Sequence, residues 1–172
     1  MKVVNWQGHT IIKSSLFKGV PPYYVTVFTQ GHMKLFADYV ACSLLVNVLT
    51  YNRFALDYRV LGFVIMPDHL HIIFLPGQVP IKQVIMKNTA NFSRYYHQLM
   101  EKRITVWEND YYQLPVADEE TLMAVQKHIH TNPVRQQLVA EPRLYNFSSY
   151  RFYHENNRQE FQLLLDQIEN TY

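Results

Sequence analysis

Cysteine is almost missing from this chain of 172 residues. Cys42 stands alone, which excludes an intrachain disulfide and any cysteine-rich zinc site, and fits a reducing compartment. Long apolar runs are missing too. No segment reaches the roughly 18 consecutive apolar residues of a membrane span, and the opening MKVVNWQGHTIIKSS lacks the apolar core of a secretory signal. The expectation is a soluble, cytoplasmic protein. Nor is there an excess of one charge: 16 Lys and Arg against 14 Asp and Glu leave a formal +2, spread along the chain. That permits a nucleic-acid partner without demanding one, because a strong basic footprint would show more plainly. Repeats, low-complexity tracts and long linkers are also absent.

What is present is a large apolar and aromatic content. Apolar residues make up 48% of the chain, enough for one domain with a substantial core. The 13 Tyr and 10 Phe serve equally well for packing or for stacking on unpaired bases, and composition does not choose between these uses.

The pattern of elements is readable. YYVTVFTQ (23–30), rich in β-branched and aromatic residues after Pro21-Pro22, reads as a strand. Residues 37–54 recur apolar at the helical period. Residues 56–66 make a second strand and 69–76 a third, with Pro67-Asp68 turning between them. In the next helix Ile81, Ile85, Phe92, Tyr96 and Leu99 share one face, and Lys87 and Arg94, seven apart, share the other. A further strand fits within 104–116. A helix starting near Asp118 follows, with Leu122, Val125 and Ile129 as its stripe; Pro133 either ends it at Asn132 or kinks it. Phe161, Leu164, Leu165 and Ile168 mark a C-terminal helical face. This order predicts one α+β domain with a central antiparallel sheet flanked by helices.

Two histidine pairs carry the candidate chemistry. His69 and His71, two apart on a strand, point to one face and suit a divalent metal, with Asp68 as a supporting acceptor. A half-exposed strand with histidine at alternate positions is the plainer alternative, and the spacing leaves both open. His128 and Asn132, four apart, share a helix face, whereas His130 points about 200° away from His128 and receives no role. From periodicity alone, helix termination before Pro133 is the better account of Asn132, with His128 a boundary residue. Arg135 lies just beyond Asn-Pro, where it could meet phosphates or satisfy the helix end.

Five segments, in order, resemble the single-tyrosine HUH transposases, the IS200-like and REP-associated tyrosine transposase families. GFVIMPDHLHIIFLP is similar to the segment with their paired histidines, and IKQVIMKNTANFSRYY to their basic helix. VWENDYYQLPVADEETL is similar to the Trp-containing connection into their nucleophile helix. HIHTNPVRQQLV resembles that helix's ending, and YNFSSYRFY an aromatic-Ser-Ser tail. The resemblance covers residues 20–153, leaving 1–19 as an N-terminal extension and 154–172 as a C-terminal helix.

The resemblance implies a ferredoxin-like HUH endonuclease fold, recognition of single-stranded or hairpin DNA, and cleavage through a 5′-phosphotyrosine link assisted by Mg²⁺ or Mn²⁺. It places the metal on His69, His71 and Asn132, and makes a homodimer the expected assembly. Phosphate contacts fall to Lys82, Lys87, Arg94, Lys102, Arg103 and Arg135. Trp107, Phe92 and Phe152 are read as core rather than as base platforms.

One position departs. The tyrosine expected four residues before the asparagine is His128, which has no phenolic oxygen. Three readings follow. Another tyrosine serves, Tyr112 or Tyr111 first and Tyr96, Tyr145, Tyr150 or Tyr153 less readily. Alternatively His128 itself acts, as nucleophile or as a further ligand that would suit zinc or nickel. In the third, the favoured one, the domain keeps its fold and DNA binding and has lost strand transfer. A metal-binding structural domain without a nucleic-acid role is the competing class.

Overall fold

The computed structural model describes residues 4–6, 9–11, 20–155, 157, 159 and 161–165. Near the N-terminus, β1 (Val4–Trp6) and β2 (His9–Ile11) pair antiparallel. The main chain then runs β3 (Tyr23–Thr29), α1 (Tyr39–Leu56), β4 (Tyr58–Met66), β5 (His69–Pro76), α2 (Ile81–Met100), β6 (Trp107–Pro115), α3 (Glu119–Arg135) and α4 (Tyr150–His154). The four long strands form one antiparallel sheet in the order β4-β5-β3-β6. This is the βαββαβ order of a ferredoxin-like domain, as expected, with α3 added after the sixth element.

Both faces of the sheet are covered over β3, β4 and β5, which are buried almost continuously, while the edge strand β6 is largely exposed. Val25, Val27, Phe63, Ile65, Ile72 and Phe74 pack under α1 and α2. Tyr24, Leu61, Val64, Met66 and Ile73 meet Leu122 and Ile129 of α3 on the other face. A register shift between Val60 and Gly62 changes which residues point where. Before it Val60 faces α1 and α2; after it Phe63 and Ile65 do, so the extra residue reverses the period-2 alternation.

Local chemistry sets the ends of these elements. Asp38 caps α1 by accepting from Val40 N at 2.9 Å, and Asp57 closes it in the left-handed region at φ 50°. The helix therefore runs two residues past 54, and the following strand starts at Tyr58 rather than at 56. Gly77 sits against this cap: a Cβ there would lie 2.2 Å from the Asp57 carbonyl oxygen. Asp118 caps α3 through Thr121 N at 2.8 Å, as its sequence suggested. Pro133 neither ends nor splits that helix, which continues to Arg135.

On α2 the expected face is right for Ile85 and Phe92 but not for Leu99, which is 53% exposed in the last turn; Val84 and Asn88 complete the buried face. Asn88 belongs to a buried polar link between helices. Its Oδ1 accepts from Asn52 Nδ2 at 3.0 Å and from the Tyr58 hydroxyl at 3.1 Å. Trp107, Phe92 and Phe152 are all core. The helix expected over 154–172 falls largely outside the described residues, as does Ile168. Of that stretch, 161–164 form turns, and Leu164 and Leu165 are buried in the core. No helix among the described residues is long and apolar enough to cross a membrane.

Candidate functional site

The sheet register gathers the site. His71 on β5 is paired with Val64 on one side and with Thr26 of β3 on the other, and Thr26 is in turn paired with Tyr112 of β6. Residues in such a row share a sheet face, here the one that carries α3. His69 stands two residues from His71 on the same face. Their Nε2 atoms are 3.1 Å apart, and Asn132 of α3 reaches in with Nδ2 at 2.8 Å from His71 Nε2. The structure thus brings together the three residues that the resemblance grouped.

Behind the rings, other groups fix which nitrogen carries hydrogen. Asp68 Oδ1 lies 2.6 Å from His69 Nδ1, and its other oxygen 3.1 Å from His32 Nδ1. A carboxylate only accepts, so His69 donates from Nδ1 and turns Nε2 forward. Partial burial works the other way, but the His69 and His32 hydrogen bonds hold the Asp68 carboxyl below the usual carboxylate range. His71 Nδ1 meets the Tyr24 hydroxyl and Thr26 Oγ1, both at 2.8 Å. Burial, with His69 and His128 close by, pushes the His71 imidazole down to about 3. It is therefore neutral near pH 7, the form a metal requires.

Tyr24, Thr26 and His32 were not anticipated from the sequence. Tyr24 and Thr26 sit in an ordinary strand pattern, and only the pairing of β3 with β5 reveals them. His32 stands with φ 54° in the short turn after β3, a position with no sequence signature.

His128 is half-buried beside this group. Its ring centre is 5.4 Å from that of His71 and 6.2 Å from that of Tyr24. Its Nδ1 lies 3.1 Å from Arg135 Nη1, two turns along the helix. Burial, Arg135 and His69 all lower its pKa. Among the described residues, no three His, Cys, Asp or Glu side chains form a group able to hold a metal ion. A groove of about 590 Å³ runs from His128 and Tyr24 past Leu114 to Asp118 and Glu120.

His130 lies elsewhere, as its angle on the helix required, but it is not idle. It is 2% exposed, with Nε2 at 2.8 Å from Ser149 Oγ and Nδ1 at 3.2 Å from His154 Nε2. Ser149 Oγ also accepts from Phe63 N at 2.9 Å, so the trio ties α3, α4 and β4 together.

The other tyrosines are scattered. Tyr111 and Tyr96 pack against the core under α1 and α2, Tyr145 donates to Ile65 O, and Tyr150 and Tyr153 surround His130. Tyr112 stands in the same strand row as His71, with its ring 6.0 Å from Tyr24. Lys82, Lys87 and Arg94 are exposed on α2, across the sheet from the histidines, with Arg94 over the Tyr95 ring. Lys102 and Arg103 occupy the loop entering β6. That loop adjoins the Asp68 end of the sheet, since Gln30 N bonds Val106 O and Thr29 N bonds Asp68 O.

Comparison with known proteins agrees with this fold. The chain superposes on a REP-associated tyrosine transposase solved with a REP hairpin, covering 94% of this chain and 90% of that one at 14% identity, with a TM-score of 0.67. A Deinococcus radiodurans protein assigned as a transposase matches 75% of this chain and 95% of its own at 19% identity, with a TM-score of 0.50. No curated protein sequence matches the chain. The family model described as "Transposase IS200 like" matches residues 23–132, more than half of the sequence. The chain belongs to the IS200-like transposase family.

Proposed function

We propose that this chain binds single-stranded DNA with an adjoining hairpin, retains a divalent-metal site on His69, His71 and Asn132, and lacks the nucleophile for phosphotyrosine chemistry at residue 128. One observation carries this reading: the His69–His71–Asn132 group is assembled with its supporting hydrogen bonds, beside a histidine where the resemblance implies tyrosine.

The donor set fits an ion such as Mn²⁺ or Mg²⁺. Two ligands each about 2.1 Å from an ion, at right angles, lie about 3 Å apart, and the two Nε2 atoms are 3.1 Å apart. A half-turn of the Asn132 amide presents Oδ1 in place of Nδ2. When bound, the ion would supply Lewis-acid polarisation of a phosphate oxygen. The protein's own residues do the positioning. Asp68, Tyr24 and Thr26 hold the ring nitrogens forward, and α3 brings the amide over the sheet.

The relative bound to a REP hairpin supports a folded DNA element as the partner. Lys102 and Arg103, at the Asp68 end, are suited to DNA entering the site. Lys82, Lys87 and Arg94, on the far face of the sheet, would reach phosphates only outside the site. Each phosphate contact adds about −0.7 to −0.9 to the slope of log affinity against log salt. Fluorescence anisotropy with a hairpin oligonucleotide carrying a single-stranded flank tests the reading. Salt-dependent preference over random single strands is expected. Absence of binding at low salt with Mn²⁺ present would remove it in favour of a structural metal domain.

The row Val64–His71–Thr26–Tyr112 favours one alternative, a displaced nucleophile. Tyr112 is 52% exposed, and only the small Thr26 separates it from His71 along the row. In that reading the Tyr112 oxygen bonds to phosphorus, and the 3′ oxygen leaves with the bonding pair and takes up a proton.

A further inference from the structure

We infer that His128 and Arg135 form a paired hydrogen-bond donor for one phosphodiester oxygen of bound DNA, so that residue 128 holds backbone rather than attacking it. The inference rests on the DNA-binding reading above and assigns a ligand to a pair that reading leaves open.

A guanidinium has five N–H donors and no acceptor. Arg135 Nη1 lies 3.1 Å from His128 Nδ1, so Nδ1 accepts and the neutral ring carries its hydrogen on Nε2. The ring then has no spare lone pair, since Nδ1 is engaged and Nε2 is protonated. It can neither ligate a metal nor attack phosphorus while Arg135 stays in place. What remains is an N–H donor on a ring 5.4 Å from His71, backed by a permanent cation.

The surroundings suit an anion at this end. The ring lines the 590 Å³ groove, whose acidic residues, Asp118 and Glu120, stand ten and eight residues before His128, more than two helical turns away. Asp118 is further engaged by Thr121 N. Arg135 is exposed and keeps other N–H groups free of His128, so both residues can address one oxygen. Arg135 thus acts twice, fixing the histidine tautomer and contributing its own charge.

The test has two arms that separate this inference from the broader reading. Long-range ¹⁵N–¹H correlation spectra at pH 8 report the His128 tautomer without DNA, with the signal assigned by its loss in His128→Gln. The Nε2–H form is expected in the wild type, and a mixture in Arg135→Gln. Anisotropy with the flanked hairpin then measures affinity. His128→Ala and Arg135→Gln should each weaken binding about tenfold, as for one hydrogen bond to a charged group. The double variant should lose little more, and His128→Gln, which keeps an N–H donor, should recover most of the affinity. An Nδ1–H ring in the wild type, or a tautomer indifferent to Arg135→Gln, overturns the inference. So does wild-type affinity in His128→Ala. If the tautomer is as expected but the wild type binds no DNA, the broader reading fails and the phosphate assignment falls with it, while the Arg135 lock stands.

Discussion

The two hydroxyls behind His71 provide the sharpest quantitative prediction. Tyr24 OH and Thr26 Oγ1 each lie 2.8 Å from Nδ1. Either one can accept the Nδ1 hydrogen and so keep the Nε2 lone pair facing Asn132 and His69. Tyr24→Phe leaves Thr26 in place, and Thr26→Val leaves Tyr24, so each single change should weaken Mn²⁺ binding only a few-fold. The double variant leaves Nδ1 without either partner and frees the ring to choose its tautomer. Loss of a supporting shell of this kind costs about 10–100-fold in metal affinity, or about 1.4–2.7 kcal/mol. The expected result is therefore a double effect larger than the product of the singles. Isothermal titration of Mn²⁺ into the wild type, both singles and the double measures this, with thermal unfolding as a control for the loss of buried hydrogen bonds. His69→Ala supplies the reference for a lost ligand. Equal affinity in the wild type and the double variant would refute the claim that these hydroxyls orient His71.

Two further predictions concern stability. Burial, with His154 nearby, pushes His130 down to about 3 from its ordinary value near 6.5. Between those values the unfolded chain takes up the proton and the folded chain does not. Stability from this group is therefore complete above pH 6.5 and is lost as pH falls toward 3, at up to about 1.4 kcal/mol per pH unit. Urea unfolding of His130→Gln between pH 7 and pH 4 should show a shallower slope than the wild type by that amount, and identical slopes would contradict the buried neutral ring. Asn88→Ala leaves buried Asn52 Nδ2 without its acceptor, whereas the Tyr58 hydroxyl keeps Leu49 O at 2.7 Å, and should cost about 1–3 kcal/mol. A midpoint within about 0.5 kcal/mol of wild type would show that the link is not needed.

The sequence made the strands and helices legible because their apolar periods are strong, and the His-x-His pair legible because alternation on a strand fixes its face. Asn132 was legible only through resemblance, since on periodicity alone a helix ending before proline explains it better. The structure shows that the helix does not end there. Tyr24 and Thr26 were hidden for a different reason. Their part depends on β3 pairing with β5 in one register, and a one-residue slip would send both side chains to the other face. Leu99 fitted the helical stripe of α2 but lies in its exposed last turn, where periodicity carries no information about neighbours. His130 appeared to have no role because its partners, Ser149 and His154, come from a segment some 20 residues further along the chain.

Residue 128 bears the central claim, and a covalent-adduct assay addresses it directly. Wild type and His128→Tyr would be incubated with end-labelled hairpin DNA and Mn²⁺, then run on a denaturing gel. The account predicts no protein–DNA adduct for the wild type and a slow-migrating adduct for His128→Tyr, mapped to residue 128. A wild-type adduct mapped to a tyrosine, Tyr112 above all, would contradict it.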